Sequence, residues 1–261
     1  MEAFKAIILG VVEGATEFLP VSSTGHLIVA ADWLNYPDAQ RATFEIFIQL
    51  GAILAVYWHY RKELLDLARR ATADSSAQGL IAKVLVAFLP AAAVGFLIHH
   101  WIEDHLFSIH AVAWALIVGG IIIWLIELRP QRPTVTAIEA TGWRQAIWVG
   151  VAQVTSLFPG VSRAAATIVG GMLTGLNRPV ATQFSFYLAL PTLTAASLFS
   201  LAKAAKTITS GEASSLAIGF VTAFVTALLV IRGFLRYVQS HDFRPFAYYR
   251  IVAGVFLLLI W

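Results

Sequence analysis

The chain has 261 residues, of which 59% are hydrophobic and only 13% charged, against about 25% charged in a soluble domain. With a mean hydropathy of +0.76, a water-soluble fold is excluded, and a single bundle embedded in lipid is expected. The net charge is +3, but the basic residues fall between apolar runs and not in tracts interleaved with aromatics, which sets nucleic acid aside; without cysteine there is no thiol or disulfide chemistry.

Residues 4–34 are apolar but interrupted by Glu13, Glu17, Pro20, Ser22, Ser23, Thr24 and His26. Such a segment would not cross lipid as a plain helix. It predicts a helix–turn–helix hairpin that enters and returns, since non-helical backbone at membrane depth needs protein or a water-filled cavity around it. Glu2, Lys5 and the two buried-looking glutamates also argue against a cleaved signal peptide. Three spans follow at 43–60, 80–99 and 108–128, each near the 20 residues a bilayer requires. The 99–107 link holds His99, His100, Glu103, Asp104 and His105. These types could hold a metal, but their spacing fits no strict signature, and a solvated outer loop is expected. A second broken segment at 145–177 contains Gln153, Pro159, Gly160, Ser162 and Arg163 and predicts a second hairpin. Spans at 181–202, 214–235 and 246–261 complete the chain, the last short, with Phe246, Tyr248 and Tyr249 at the interface. Trp58, Trp101, Trp143 and Trp261 sit near span ends, as an aromatic belt requires.

The two halves are alike. At an offset of 140 residues, Gly10, Val11, Glu13, Thr16, Phe18, Val21 and Ser22 fall on Gly150, Val151, Gln153, Ser156, Phe158, Val161 and Ser162. The match continues, with FEIFIQLGAILA at 44–55 over FSFYLALPTLTA at 184–195, without gaps over about 45 positions. Each half would hold one hairpin and three spans. Three is odd, so the second half enters upside down. The predicted fold is all-α and polytopic: six transmembrane helices plus two re-entrant hairpins in an inverted-topology repeat, the halves running from about 1–135 and 136–261. Arg61, Lys62, Arg69, Arg70, Arg129, Arg132, Arg144, Arg232, Arg236 and Arg244 mark three loops as cytoplasmic. Both termini and the mouth of the first hairpin then face outward.

Glu13 and Glu17 are four residues apart and share a helix face. Two buried carboxylates repel unless a divalent cation, an arginine or a shared proton lies between them. The plainer alternative is an outward-facing pair on an interfacial helix. Ser22, Ser23 and Thr24 stand after Pro20 at the start of the returning half-helix, where free N–H groups and the helix dipole favour an anion and a hydroxyl can act as nucleophile. His26 is one turn away; a simple N-cap and a satisfied histidine are the alternative. In the second half Pro159 and Gly160 make the turn, Ser162 caps, and Arg163 offers a fork for phosphate oxygens, or pairs structurally with Glu13 or Glu17. Arg178 and Arg250 are candidates to extend the anion site. One half keeps acids and hydroxyls and the other gains a cation, a combination suited to phosphoryl transfer.

At these residues the chain resembles the undecaprenyl-diphosphatase family of the bacitracin-resistance type. The resemblance rests on EGATEFLPVSSTGHL at 13–27, FEIFIQLGAILAV at 44–56 and PGVSRAAATI at 159–168. It implies removal of the terminal phosphate from C55 isoprenyl diphosphate, a bacterial inner-membrane location with an outward-facing site, and dependence on a divalent cation. The acidic motif carries to Glu13 and Glu17, the hydroxyl motif to Ser22, Ser23, Thr24 and His26, and the basic motif to Ser162 and Arg163. The expected roles are Ser23 as nucleophile with His26 or Glu17 handling its proton, and His26 as the alternative nucleophile. Ser22, Thr24, Ser162 and Arg163 would hold phosphate, and Glu13 with Glu17 would seat Mg²⁺ or Ca²⁺. The partners are an isoprenyl diphosphate lipid and the bilayer, with a homodimer left open. A lipid transporter or flippase is the rival reading, because inverted repeats with broken helices are also transporter features.

Overall fold

The computed structural model describes residues 2–106, 108–130, 132–204 and 213–261. Among these the protein is all-helical: α1 (Glu2–Thr16), α2 (Ser23–Trp33), α3 (Asp38–His59), α4 (Arg61–Arg70), α5 (Ser75–Leu106), α6 (Ile109–Leu128), α7 (Trp143–Val154), α8 (Arg163–Leu173), α9 (Arg178–Ala204), α10 (Ala213–Tyr237) and α11 (Arg244–Ile260). Short 3₁₀ turns occupy Ile138–Ala140 and Thr155–Leu157.

Among the described residues five stretches are long and apolar enough to cross a membrane: Gln40–His59, Ser75–Ile98, Ile109–Leu128, Arg178–Lys203 and Ala213–Tyr237. They match five of the six predicted spans. The sixth, α11, has 17 residues, somewhat short of the length a bilayer asks for, and it packs along α6. The two interrupted segments are helical pairs with a break, as expected. With 15 residues in α1 and 11 in α2, they reach only about 22 and 17 Å at the α-helical rise, less than the ~30 Å apolar thickness. α1 packs on α2, and α7 on α8, so each broken segment doubles back on itself.

Two links differ from the sequence reading. The 99–107 loop is helical through Leu106, where α5 continues unbroken. Residues 96–107 contain neither glycine nor proline, so nothing in the backbone stops the helix. The stop comes at Ser108, whose hydroxyl caps α6 by accepting from the Ala111 amide at 3.1 Å. The side chains of His99, His100, Glu103, Asp104 and His105 lie outside the described residues, and most of the 203–213 link does too. The 61–79 link, read as a loop, contains α4, which is held down by the buried Leu67 and the partly buried Leu64.

The broken segments and the long helices pack crosswise. α1 lies against α10 while α7 lies against α5, and α3 lies against α10 while α9 lies against α5. Each half therefore seats its broken helix on a long helix of the other half. Small residues permit the approach: a Cβ added at Gly10 would come within 2.8 Å of the Gly219 carbonyl oxygen, and one at Gly150 within 2.5 Å of that of Ala87.

The helices have two distinct ends. At one, the buried Glu127 accepts two hydrogen bonds from Arg178 and one from the Phe243 amide, and Val135 pairs with Leu176. Tyr60, just before α4, packs on Tyr187 at the same end. The three arginine-rich links gather there. At the other end Trp33 stacks on Trp261 at 6.2 Å and Lys5 Nζ donates to the Asn35 carbonyl at 3.0 Å, which brings both chain termini to one side.

Candidate active site

The site forms where the two breaks meet. In the first, Pro20 prevents continuation of α1. The chain then turns through Ser22, whose φ of 75° is a left-handed conformation that a non-glycine residue adopts at a cost. Its hydroxyl repays part of this by capping α2, accepting from the Gly25 amide at 3.4 Å. The second break repeats the device. Gly160 and Ser162 have φ of 92° and 72°, and Ser162 accepts from the Ala165 amide at 3.2 Å. Gly160 is required for space as well, since a Cβ there would meet the Val112 carbonyl oxygen at 2.8 Å.

These turns bring Glu17, Ser23 and Arg163 together. Ser23 Oγ donates to Glu17 Oε2 at 2.5 Å. Arg163 Nη2 donates to Glu17 Oε1 at 3.2 Å. Glu17 is 7% and Arg163 9% exposed, so a carboxylate from one half and a guanidinium from the other converge in a buried place, with the Phe18 ring 5.6 Å beneath the guanidinium carbon. The remaining edge of Arg163 is held by Ser185, whose carbonyl and hydroxyl accept from Nη1 at 3.1 and 3.3 Å. Arg163 Nε is buried and has no partner among the described residues.

Thr24 and Ser162 are half-buried beside the serine and the arginine. His26 is also half-buried, but neither of its nitrogens is on Ser23. Nδ1 lies 2.7 Å from the Ser22 carbonyl and must donate to it, which leaves Nε2 to accept from the Tyr249 hydroxyl at 2.5 Å. Of the two expected proton handlers, Glu17 is the one in contact with Ser23.

Glu13 is 2% exposed and accepts no hydrogen bond from a described residue. The charges acting on it are Glu17, Glu45 and Arg163. Among the described residues no group of three or more His, Asp or Glu side chains gathers into a metal cage. A hard cation such as Mg²⁺ is instead commonly held by one or two carboxylates plus phosphate oxygens and water. The buried carboxylate of Glu13, one turn from Glu17, fits that pattern.

Arg178 does not extend the site: it is committed to Glu127 at the arginine-rich end. Arg250 is fully buried and, among the described residues, donates only to carbonyl oxygens. Three contributors escaped the sequence reading. Ser185 and Thr167, their hydroxyls 2.6 Å apart, brace Arg163. Tyr249, read as an interfacial aromatic, holds His26. Ser185 had a signal: the offset of 140 aligns it with Glu45, an acidic neighbour of Glu13.

The chain matches the bacitracin resistance protein BacA family over residues 6–256. An undecaprenyl-diphosphatase of Methylobacillus flagellatus is 50% identical over 260 residues, covering 97% of this chain and 96% of that protein. An undecaprenyl-diphosphatase 3 of Acinetobacter baylyi is 45% identical, covering 100% and 98%, and an undecaprenyl-diphosphatase of Caldanaerobacter subterraneus is 46% identical, covering 98% and 95%. Together with the arrangement of the two breaks, matches of this extent make the chain a member of the BacA bacitracin-resistance family.

Proposed function

We propose that this membrane protein hydrolyses undecaprenyl diphosphate to undecaprenyl monophosphate and inorganic phosphate. The observation that carries the reading is the triplet in which Glu17 joins the half-buried Ser23 hydroxyl to the buried Arg163, whose Nε has no partner among the described residues. A buried donor without a partner costs about 1–3 kcal/mol, and a phosphate oxygen would satisfy it. Ser23 Oγ attacks the terminal phosphorus while Glu17 accepts its proton. The new Oγ–P bond forms as the bridging P–O bond breaks, and lipid monophosphate leaves. Once Glu17 is protonated its hold on Arg163 weakens, and the guanidinium turns its charge to the equatorial oxygens, where transition-state charge collects. Glu17 passes its proton to the departing monophosphate; water then attacks the phosphoserine, and Glu17 takes the proton of the water and returns it to Oγ as the Oγ–P bond breaks, which frees phosphate and restores Ser23. Ser22, Thr24 and Ser162 line the two helix starts that receive the anion. Glu13, with Glu17, would hold Mg²⁺ or Ca²⁺, which neutralises diphosphate charge when bound.

The isoprenoid has a place to go. A cleft of about 290 Å³ begins at His26 and runs between α2 and α11, lined by Val29, Trp33, Leu116, Ala253 and Leu257. In the bilayer, α11 would be the sixth span and the two broken segments re-entrant hairpins, in halves 1–135 and 136–261 of one membrane domain. The exchanged seating of α1 on α10 and α7 on α5, and the matched strain at Ser22 and Ser162, support an inverted repeat. By the positive-inside rule the arginine-rich end lies in the cytoplasm of a bacterial inner membrane. The termini and the mouth of the first hairpin then face outward. One copy supplies every group named, so a homodimer is not required.

The same exchanged packing around broken helices favours a second reading, movement of the carrier lipid. Transport needs Arg163 but no nucleophile. Purified protein given farnesyl or undecaprenyl diphosphate and Mg²⁺ should release phosphate, and Ser23→Ala should lower the rate at least about 10³-fold, the scale of losing a covalent-catalysis group. No release from any isoprenyl diphosphate, with or without divalent metal, would leave only the transport reading.

A further inference from the structure

We infer that Arg250 is a positioning residue that holds the two hairpin tips in register around the diphosphate; this rests on the phosphatase reading of the tips. Arg250 lies mid-way along α11 and is 0% exposed. Its Nη1 donates to the Pro20 carbonyl at 3.2 Å. Its Nη2 donates to the Gly160 carbonyl at 3.1 Å and to that of Ala115 at 3.0 Å. Nε points to the Leu116 carbonyl at 3.4 Å. One guanidinium thereby ties the turn after α1, the turn before α8 and the middle of α6 to α11.

The two turn carbonyls are not an arbitrary pair. Pro20 and Gly160 are separated by 140 residues, the offset of the internal repeat, and each stands three residues ahead of a working group, Ser23 in one case and Arg163 in the other. Arg250 therefore grips the same backbone atom of each half, at the point where the halves meet.

The chemistry of the residue suits this task and little else. Among the described residues no carboxylate pairs with Arg250, and a buried cation without an anion is expensive at membrane depth. Carbonyl dipoles from three elements offset that cost only while they stay aimed at it. A planar fork with donors on different edges can reach two turns at once, which a single ammonium cannot. The neighbouring helix is built around it: a Cβ at Gly119 would fall 2.2 Å from Nη2 and 2.9 Å from the guanidinium carbon. A reacting pair displaced by about 1 Å can lose on the order of 10²-fold in rate.

The test uses the full chain, whose lack of cysteine allows spin labels at Leu19→Cys and Phe158→Cys, one on each tip. The inter-label distance should be narrowly distributed in the parent. Arg250→Lys, which keeps the charge but not the fork, should broaden it and lower kcat on isoprenyl diphosphate about 100-fold, with helical content and detergent monodispersity unchanged. Gly119→Ala, which leaves Arg250 in place but takes its space, should do the same, and it decides the matter if Arg250→Lys does not fold. A narrow distance with kcat within about threefold of the parent in the folded variants would overturn the clamp. The distance needs no substrate, so a parent that releases no phosphate would sink the phosphatase reading while the labels still judge Arg250.

Discussion

The division of labour among single residues is set by which atoms touch. Ser23 gives its hydroxyl proton to Glu17 at 2.5 Å, whereas both nitrogens of His26 are occupied by the Ser22 carbonyl and the Tyr249 hydroxyl. General-base assistance is typically worth 10²–10⁴-fold, so Glu17→Gln should cut phosphate release by about 10³-fold. His26→Gln should cost about tenfold or less, and Tyr249→Phe about the same, because these two act on each other and on the mouth of the cleft. A larger loss in His26→Gln than in Glu17→Gln, measured by initial rates at saturating substrate, would reverse the assignment. Glu13, Glu17, Ser23 and Arg163 could be picked out of the sequence because charges and hydroxyls inside apolar runs stand out against their background. Thr167 could not, and Ser185 was marked only by its place opposite Glu45 at the offset of 140. A hydroxyl inside a helix usually bonds the preceding turn, as Thr167 does with the Arg163 carbonyl at 2.8 Å, and only the packing of α9 against α8 turns the pair toward a guanidinium.

At the level of elements, the breaks matter more than the helices they separate. α2 and α8 each begin after a serine that is both the cap and the strained residue, Ser22 and Ser162. Replacing an N-cap serine with alanine costs about 1 kcal/mol and with glycine only a few tenths, and glycine also removes the penalty of positive φ. Ser22→Gly should therefore leave the thermal unfolding midpoint in detergent near that of the parent, while Ser22→Ala lowers it by a few degrees; the opposite order would mean the strained turn is not retained in solution. The existence of both breaks was legible from proline and buried polar residues. The length of α5 and the presence of α4 were not, since hydropathy marks where lipid ends and says nothing of where a helix does. His, Glu and Asp continue α5 past its apolar stretch, and α4 is short and polar, anchored by Leu64 and Leu67.

Seen whole, the molecule has an arginine-rich end and an end that carries both termini. Accessibility labels placed at either terminus should react from one side of the membrane, and labels in the 61–70 or 236–244 segments from the other, with the termini outward. Reaction of a terminus and an arginine-rich link from the same side would dismantle the proposed orientation. The sequence shows a likeness between the halves at an offset of 140, but not the exchange of seats, because a likeness in sequence does not say whether a helix packs on its own half or on the other. That exchange has a consequence for how the protein comes into being. α1 is among the first segments made, yet its seat, α10, starts at Ala213, roughly 200 residues later, a wait of about 10–40 s at ordinary translation speed. For much of that interval Glu17 has Ser23 beside it but not Arg163, and α1 has no helix of the other half to lie on. A ribosome that stalls early therefore leaves an acidic hairpin without its guanidinium.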